Sequence, residues 1–313
     1  MKLWQWIVLV VGMLGCGSES VDAGDAGTEA ETDTGTDGTD TGTAAAMDSA
    51  TQTDSDSSVD SETAGDTGTD SGTDADVHIW QPAPGTTWQW QLSGTLDSSY
   101  DVEMYDIDLF DTPKETILAL KDAGRKVVCY FSAGSYEDWR EDTASWRPGT
   151  DDWIGSPLDG WDGEYWLDVS ATKVRELMRA RMDVAVEKGC DGVEPDNVDG
   201  YANANGLGLS GTQQLDFNRF LASEAHARGL SIGLKNDLDQ VNQLVSDFDW
   251  ALNEECFEWN ECDVLSVFID AGKAVFHTEY SGNMNTICTH PSTAGFSTIQ
   301  KNYDLDEQVT FCP

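Results

Sequence analysis

From about Val77 onward, apolar and polar positions alternate between two periods along the chain. Short runs at 87–92, 102–106, 126–131, 165–169, 191–193, 230–234, 250–252 and 274–278 predict strands, with 296–301 as a last candidate. Between them, 113–123, 172–188, 213–228 and 238–245 repeat at helical spacing. Pro113 opens the first helix at a position that tolerates proline, Gly124 stops it, and Ser170 or Asp168 offers a cap for the second. Strands separated by helices at this rhythm mean a parallel sheet of eight or nine strands. An open doubly wound sheet would carry a Gly-rich phosphate loop after its first strand, and none follows. The expectation is an α/β protein, a (β/α)8 TIM-type barrel, with the extra strand candidate as a rim or edge addition.

The stretch from Cys190 to Tyr201, CDGVEPDNVDGY, crowds four carboxylates, an amide and a phenol into twelve residues. Asp191 to Val193 suits a strand packed on both faces, and Pro195, lacking an amide donor, should stop the ladder near there. Asp196 and Asn197 would then stand past the carboxyl end of a strand, where barrels do their chemistry. An acidic turn and a calcium site are the competing readings, although the spacing does not match the helix–loop–helix calcium pattern. The other strand ends repeat the theme: Tyr105, Asp106 and Asp108; Tyr130 and Ser132; Asp168; Lys235 to Asp237; Asn253 to Glu255; Glu279 and Tyr280. The strand starts instead follow Gly124-Arg125, Lys188-Gly189 and Arg228-Gly229. Acids at one rim and bases at the other is the asymmetry of a barrel with one functional face.

Paired carboxylates with tryptophan and tyrosine on such a rim suit glycoside hydrolysis. One carboxyl protonates the leaving oxygen while the other attacks the anomeric carbon or activates water. A metal-dependent hydrolase competes, but His78, His226, His277 and His290 form no paired ligand spacing and no Cys-x-x-Cys occurs. No metal and no cofactor are expected. His226 reads as helix surface or packing, and His277 as pocket lining or core.

The N-terminus changes the picture of where this happens. Met1-Lys2 and the apolar run 3–14 are too short to span a bilayer. Met13-Leu14-Gly15-Cys16 resembles a lipoprotein cleavage box, which makes 1–16 a signal peptide and Cys16 a lipidation site; an ordinary signal cut near Gly17 is the alternative. Residues 17–76 are Thr, Asp, Gly, Ser and Ala, with 17 acids and no Lys or Arg. Such a segment cannot bury enough apolar surface to order, so it reads as a disordered tether. Residues 77–313 are then one barrel domain. Removing those 17 acids and Lys2 from the chain's 58 acids and 17 bases leaves 41 against 16, a formal −25. That balance disfavours nucleic acid and favours a cationic partner. The expected setting is an exported, lipid-anchored monomer, at the outer membrane or surface because Gly17 is not an Asp-type retention signal.

Export permits disulfides. Cys256 with Cys262 and Cys288 with Cys312 are the expected pairs, while Cys129 in mid-strand and Cys190 at a strand start read as small buried core residues.

The segments YDIDLF (105–110), VCYFSAG (128–134), DGVEPDNVD (191–199) and LNEEC (252–256) together resemble glycoside hydrolase family 114, the endo-α-1,4-polygalactosaminidases. The resemblance spans about 86–305 in order. It implies a (β/α)8 barrel acting on partly deacetylated galactosamine polymers. It places the two catalytic carboxylates on Asp196, as nucleophile, and Glu254, as acid/base of a retaining reaction. A slip of one residue would exchange Glu254 for Glu255. Asp106, Tyr130, Asn197, Lys235, Asn236, Glu255, Glu279 and Tyr280 are the expected substrate-binding residues. A silent barrel that only holds matrix polysaccharide is the alternative from another class.

Overall fold

The structure, a computed structural model, describes residues 79–313. The signal segment with Cys16 and the acidic stretch 17–76 lie outside the described residues. The chain runs β1 (Trp88–Gln91), β2 (Met104–Asp108), α1 (Lys114–Asp122), β3 (Lys126–Ser132), β4 (Ser135–Glu137), β5 (Ile154–Pro157) and β6 (Glu164–Leu167). It continues through α2 (Thr172–Lys188), β7 (Gly192–Asp196), α3 (Gly211–Ala227), β8 (Ser231–Lys235), α4 (Val241–Leu244) and β9 (Trp250–Glu254). Last come α5 (Ser266–Asp270), β10 (Val275–Glu279), α6 (Met284–Cys288), β11 (Ser297–Gln300) and β12 (Thr310–Phe311).

Nine strands form one sheet in the order β1-β2-β3-β7-β8-β9-β10-β11-β12. The first eight are parallel neighbours in chain order, and β12 adds antiparallel to β11. The sheet curls so that its two ends meet through side chains: Trp88 Nε1 donates to Ser297 O at 2.8 Å, and Lys301 Nζ to Gln89 Oε1 at 3.4 Å. β4, β6 and β5 make a separate antiparallel sheet inserted between β3 and α2. The run 165–169, read as a barrel strand candidate, belongs to this rim sheet. The surplus strand is therefore a rim addition, and Asp168 does not end a barrel strand. Its carboxylate instead accepts from Ser170 N and Oγ, while Ala171 starts α2 without a side-chain cap.

Period-two alternation sorts each strand between two cores. Trp88, Trp90, Met104, Val128, Trp250, Leu252 and Phe276 pack inside the curl. Tyr105, Val127, Cys129, Val193, Ile232, Leu234 and Val275 face the helices. Even-numbered positions thus point inward on β1, β2, β3, β7, β9 and β10, whereas on β8 the odd-numbered Gly233 and Lys235 do. Glycine at 233 is required by this inner packing, because a Cβ there would lie 2.2 Å from the Trp250 ring. Helix ends follow local chemistry: Ser210 and Gln213 form a reciprocal capping box that starts α3 two residues ahead of the expected 213, and Gly189 at φ +92° closes α2.

Pro195 ends only half of its ladder. On the β8 side pairing stops at Val193, as a missing amide requires, but on the β3 side it continues to Ser132 and Asp196. There the Asp196 carbonyl accepts from the amides of Ala133 and Gly134 and needs nothing from proline.

Three disulfides join Cys129–Cys190, Cys256–Cys262 and Cys288–Cys312. The last two are the expected pairs. Cys129 and Cys190 are not free core thiols; they clamp β3 to the residues entering β7. Peptide mapping without reductant should recover all three bridges. The Cys129–Cys190 bridge closes 61 residues, so replacing both cysteines by alanine should cost about 2–4 kcal/mol in denaturant unfolding. A loss below about 0.5 kcal/mol would show that the bridge does not constrain the unfolded chain as loop entropy requires.

Candidate active site

A cleft of about 320 Å³ opens at the carboxyl ends of the strands. Its floor carries Tyr130, Asp196, Asn197, Lys235, Asn236 and Glu254, and one wall carries Pro157, Trp161, Glu164 and Trp166. The inward alternation explains who stands there. Val128 leads to Tyr130, Gly192 to Glu194 and Asp196, Gly233 to Lys235, and Leu252 to Glu254. Apolar residues fill the lower layer of the curl, and polar ones surface two residues later.

Lys235 sits at the centre, 2 % exposed. Its Nζ lies 3.1 Å from Glu194 Oε1, 3.1 Å from Asp196 Oδ1 and 3.1 Å from Glu254 Oε2, with the Trp90 ring 4.9 Å away. Burial works against the charge on Lys235, but Asp196, Glu254 and Glu194 outweigh it and hold the pKa well above the usual lysine value. Neighbours aim each carboxylate. Tyr130 OH donates to Asp196 Oδ2 at 3.1 Å, and the Asn197 amide to Oδ1 at 2.7 Å. Asn236 Nδ2 donates to Glu254 Oε2 at 3.2 Å, and Tyr280 OH donates to Oε1. Burial and the adjoining carboxylates, Asp196 for Tyr130 and Glu254 for Tyr280, raise both phenols well above the usual range, so each remains a donor.

The residue after each of these strand ends turns left-handed: Asn197 at φ +60°, Asn236 at +50°, Glu255 at +61°. Asn tolerates that region, whereas Glu rarely adopts it. The turn lets the last strand residue face the cleft while the chain leaves sideways. It also separates the acidic doublet: Glu254 meets Lys235, whereas Glu255 accepts from Tyr303 OH at 3.1 Å. Gly134 serves the same corner, since a Cβ there would sit 1.7 Å from Asn197 O.

Six of the ten expected residues line the cleft: Asp196, Glu254, Tyr130, Asn197, Lys235 and Asn236. Tyr280 and Glu255 flank it through the contacts above. Asp106 points inward but one layer too deep, fully buried, with neither carboxylate oxygen meeting a donor among the described residues. Burial first, then the charge of Glu194, push its pKa well up, and its full burial keeps it off the cleft lining. Glu279 has the wrong parity: it faces outward, where Oε1 accepts from the Phe257 amide and pairs with His277 Nε2, both at 2.8 Å. His277 on the same face is core, packed edge-on to Phe296.

Sequence reasoning placed Glu194 at a strand end without giving it a role, and passed over Glu164 and Asp199 as site residues. Burial raises Glu194 to about 7, with Asp196 adding and Lys235 opposing. Burial raises Asp199 to about 6, and Asp196 adds to the shift. The period-two pattern could have found Glu194; Glu164 arrives on the rim sheet, whose fold no strand-end rule anticipates. Cys256, Cys262 and His277 place donor atoms within 4.8 Å of one another. Their sulfurs are bonded to each other, which removes the thiolates a soft metal needs.

The crystal structure of Aspergillus fumigatus Ega3 in complex with galactosamine aligns with a TM-score of 0.71 and 48% identity, covering 74% of this chain and 97% of that one. The glycoside hydrolase domain of PelA from Pseudomonas aeruginosa aligns at 0.57 and 12% identity, covering 74% and 99%, a likeness of fold. An uncharacterized Thermotoga maritima protein is 25% identical over 132 residues, 38% of this chain; the match spans 40% of that relative's length. The model of glycoside-hydrolase family GH114 matches residues 69–313. With a carboxylate pair gathered on one ammonium at the mouth of a parallel sheet, the chain belongs to glycoside-hydrolase family GH114 and is a glycoside hydrolase.

Proposed function

We propose that this protein is an exported, lipid-anchored enzyme that cleaves internal α-1,4 bonds of a cationic, galactosamine-rich polysaccharide. The work is done on a closed (β/α)8 barrel, by a monomer. The carrying observation is that Asp196 and Glu254 share Lys235 Nζ at 3.1 Å each. Those two oxygens are therefore at most twice that, 6.2 Å, apart. That limit, set on the two Lys235-bound oxygens, is compatible with the roughly 5–5.5 Å carboxyl separation of retaining enzymes.

Asp196, held by Lys235, Tyr130 and its neighbour's amide, is positioned as the nucleophile. Glu254 delivers its proton to the leaving oxygen and then takes one from the water that releases the glycosyl-enzyme. Tyr280 and Asn236 keep it aimed. Trp161 and Trp166 offer faces for sugar rings. The bound galactosamine of the Aspergillus relative and the formal −25 of this domain both support an amino-sugar polymer.

Incubating the full chain with partly deacetylated galactosaminogalactan should generate new reducing ends. Intact polymer together with retained binding would instead identify a silent binding module. Asp196→Asn and Glu254→Gln each leave Lys235 two carboxylates, so both should fold normally and lose about a thousandfold in rate. Most activity surviving in either variant would remove that residue from the chemistry. Cys16→Ser should move the protein to the soluble fraction, and unchanged membrane association would refute the anchor.

Stability should also follow pH in an unusual direction. Burial first, with carboxylate neighbours adding, raises Glu164 and Asp237 to about 8, alongside Glu194 at about 7 and Asp199 at about 6. An unfolded carboxyl titrates near 4. The folded state therefore holds extra protons, and the stability this confers is full below that value and lost as pH rises through about 6–8. Calorimetry should show a lower melting temperature at about pH 8.5 than at about pH 5. A flat or rising profile would mean these groups are ionised when folded.

A further inference from the structure

The wall facing the catalytic pair contains a carboxyl that nothing in the hydrolysis uses. Glu164 stands at the start of β6 and lines the cleft together with Asp196 and Lys235, yet is only 6 % exposed. Its Oε2 accepts from Ser135 Oγ at 2.6 Å. That hydroxyl is 2.6 Å from Ser132 Oγ, which in turn accepts from Asn197 Nδ2 at 2.9 Å. Oε1 makes no hydrogen bond among the described residues. No salt bridge to Glu164 forms among the described residues. Arg140, whose charge acts on it, is committed to Glu137 at 3.1 Å and to Asp108 at 2.6 Å. The other titratable groups that act on it are Glu137, its partner across the β4–β6 ladder, Asp196 across the cleft, and the Tyr130 phenol.

A carboxyl anchored by one oxygen on a cleft wall, with its other oxygen unpartnered, is a recognition site awaiting a donor. We propose that Glu164 reads the 2-amino group of a bound sugar, pairing with the ammonium of a deacetylated residue and so selecting it over the hydroxyl of galactose. The substrate class rests on the function proposed above; the choice of residue rests on the wall's geometry. Burial and the charges of Glu137 and Asp196 raise this carboxyl to about 8, which keeps it neutral near pH 7. An arriving ammonium supplies the missing positive charge. The carboxyl then ionises, its proton passes to solvent, and a carboxylate–ammonium pair remains. Trp161 and Trp166 on the same wall would hold the ring face while Glu164 reads the substituent.

Isothermal titration of the full chain with galactosamine and with galactose at pH 7, in two buffers of different ionisation enthalpy, tests this. Wild type should bind galactosamine about tenfold more tightly, by the usual worth of a charge-assisted bond. It should also release most of a proton per amino sugar bound. Glu164→Gln should lose the proton release and bring the two sugars to about the same affinity. An undiminished preference in Glu164→Gln, or no proton release from wild type, overturns the assignment. If Glu164→Gln fails to fold by circular dichroism, wild-type proton release decides alone. Reducing ends measured on the same preparations separate the two readings. Preference with proton release but intact polymer sinks the hydrolysis and leaves Glu164's role; shortened polymer without preference does the reverse.

Discussion

One buried ammonium organises the site. Lys235 stands on β8, between the strand that supplies Glu194 and Asp196 and the strand that supplies Glu254. Taking any one of these charges out of water costs several kcal/mol, and a lone buried ion would not be tolerated. Around Lys235 the costs offset one another: the cation holds the carboxylates, and the carboxylates hold the cation. The arrangement specifies geometry more than it adds stability. Deleting the ammonium would leave like charges facing each other at the cleft floor, whereas deleting one carboxylate leaves a compensated site.

That organisation depends on apolar packing one layer below. Trp88, Trp250 and Phe276 fill the curl, with Trp88 and Phe276 centroids 4.9 Å apart and Trp250 edge-on to Phe276 at 5.3 Å. Each of these buried indoles finds an acceptor, Ser297 O for Trp88 and Ser231 Oγ for Trp250. Above this layer, three consecutive strands of the sheet, β7, β8 and β9, end in the same way, with an inward functional side chain followed by a left-handed residue. The left-handed turn ends the ladder at the point where the side chain must face the cleft.

How much of this was legible follows from which forces are local. Strand periodicity and punctuation mark the elements, because alternation and glycine act within a few residues. The acid-rich and base-rich rims locate the functional face for the same reason. Parity could have been read as well: Asp106, Glu194, Asp196, Lys235 and Glu254 share the inward phase with Trp88 and Met104, and Glu279 does not. Depth could not, since only the three-dimensional layer puts Asp106 beneath the cleft and Asp196 at its surface. The Cys129–Cys190 bridge was hidden because both cysteines sit in runs that read equally well as core. The rim sheet was hidden because its strands are short and antiparallel, and their Trp and Asp content imitates a loop.

The rim sheet is where this chain builds a second wall for its cleft. Barrels vary function through connections while the strands stay fixed, and here the connection after β3 is long enough to carry three strands of its own. It is tied back to the floor through a polar chain, Glu164 to Ser135 to Ser132 to Asn197, whose last member directly follows Asp196. The wall's carboxyl is thus held in register with the strand end that carries the chemistry. A shift of the wall would disturb the left-handed turn at Asn197, and with it the amide that holds Asp196. Recognition on the wall and orientation on the floor are in this way parts of one hydrogen-bonded unit.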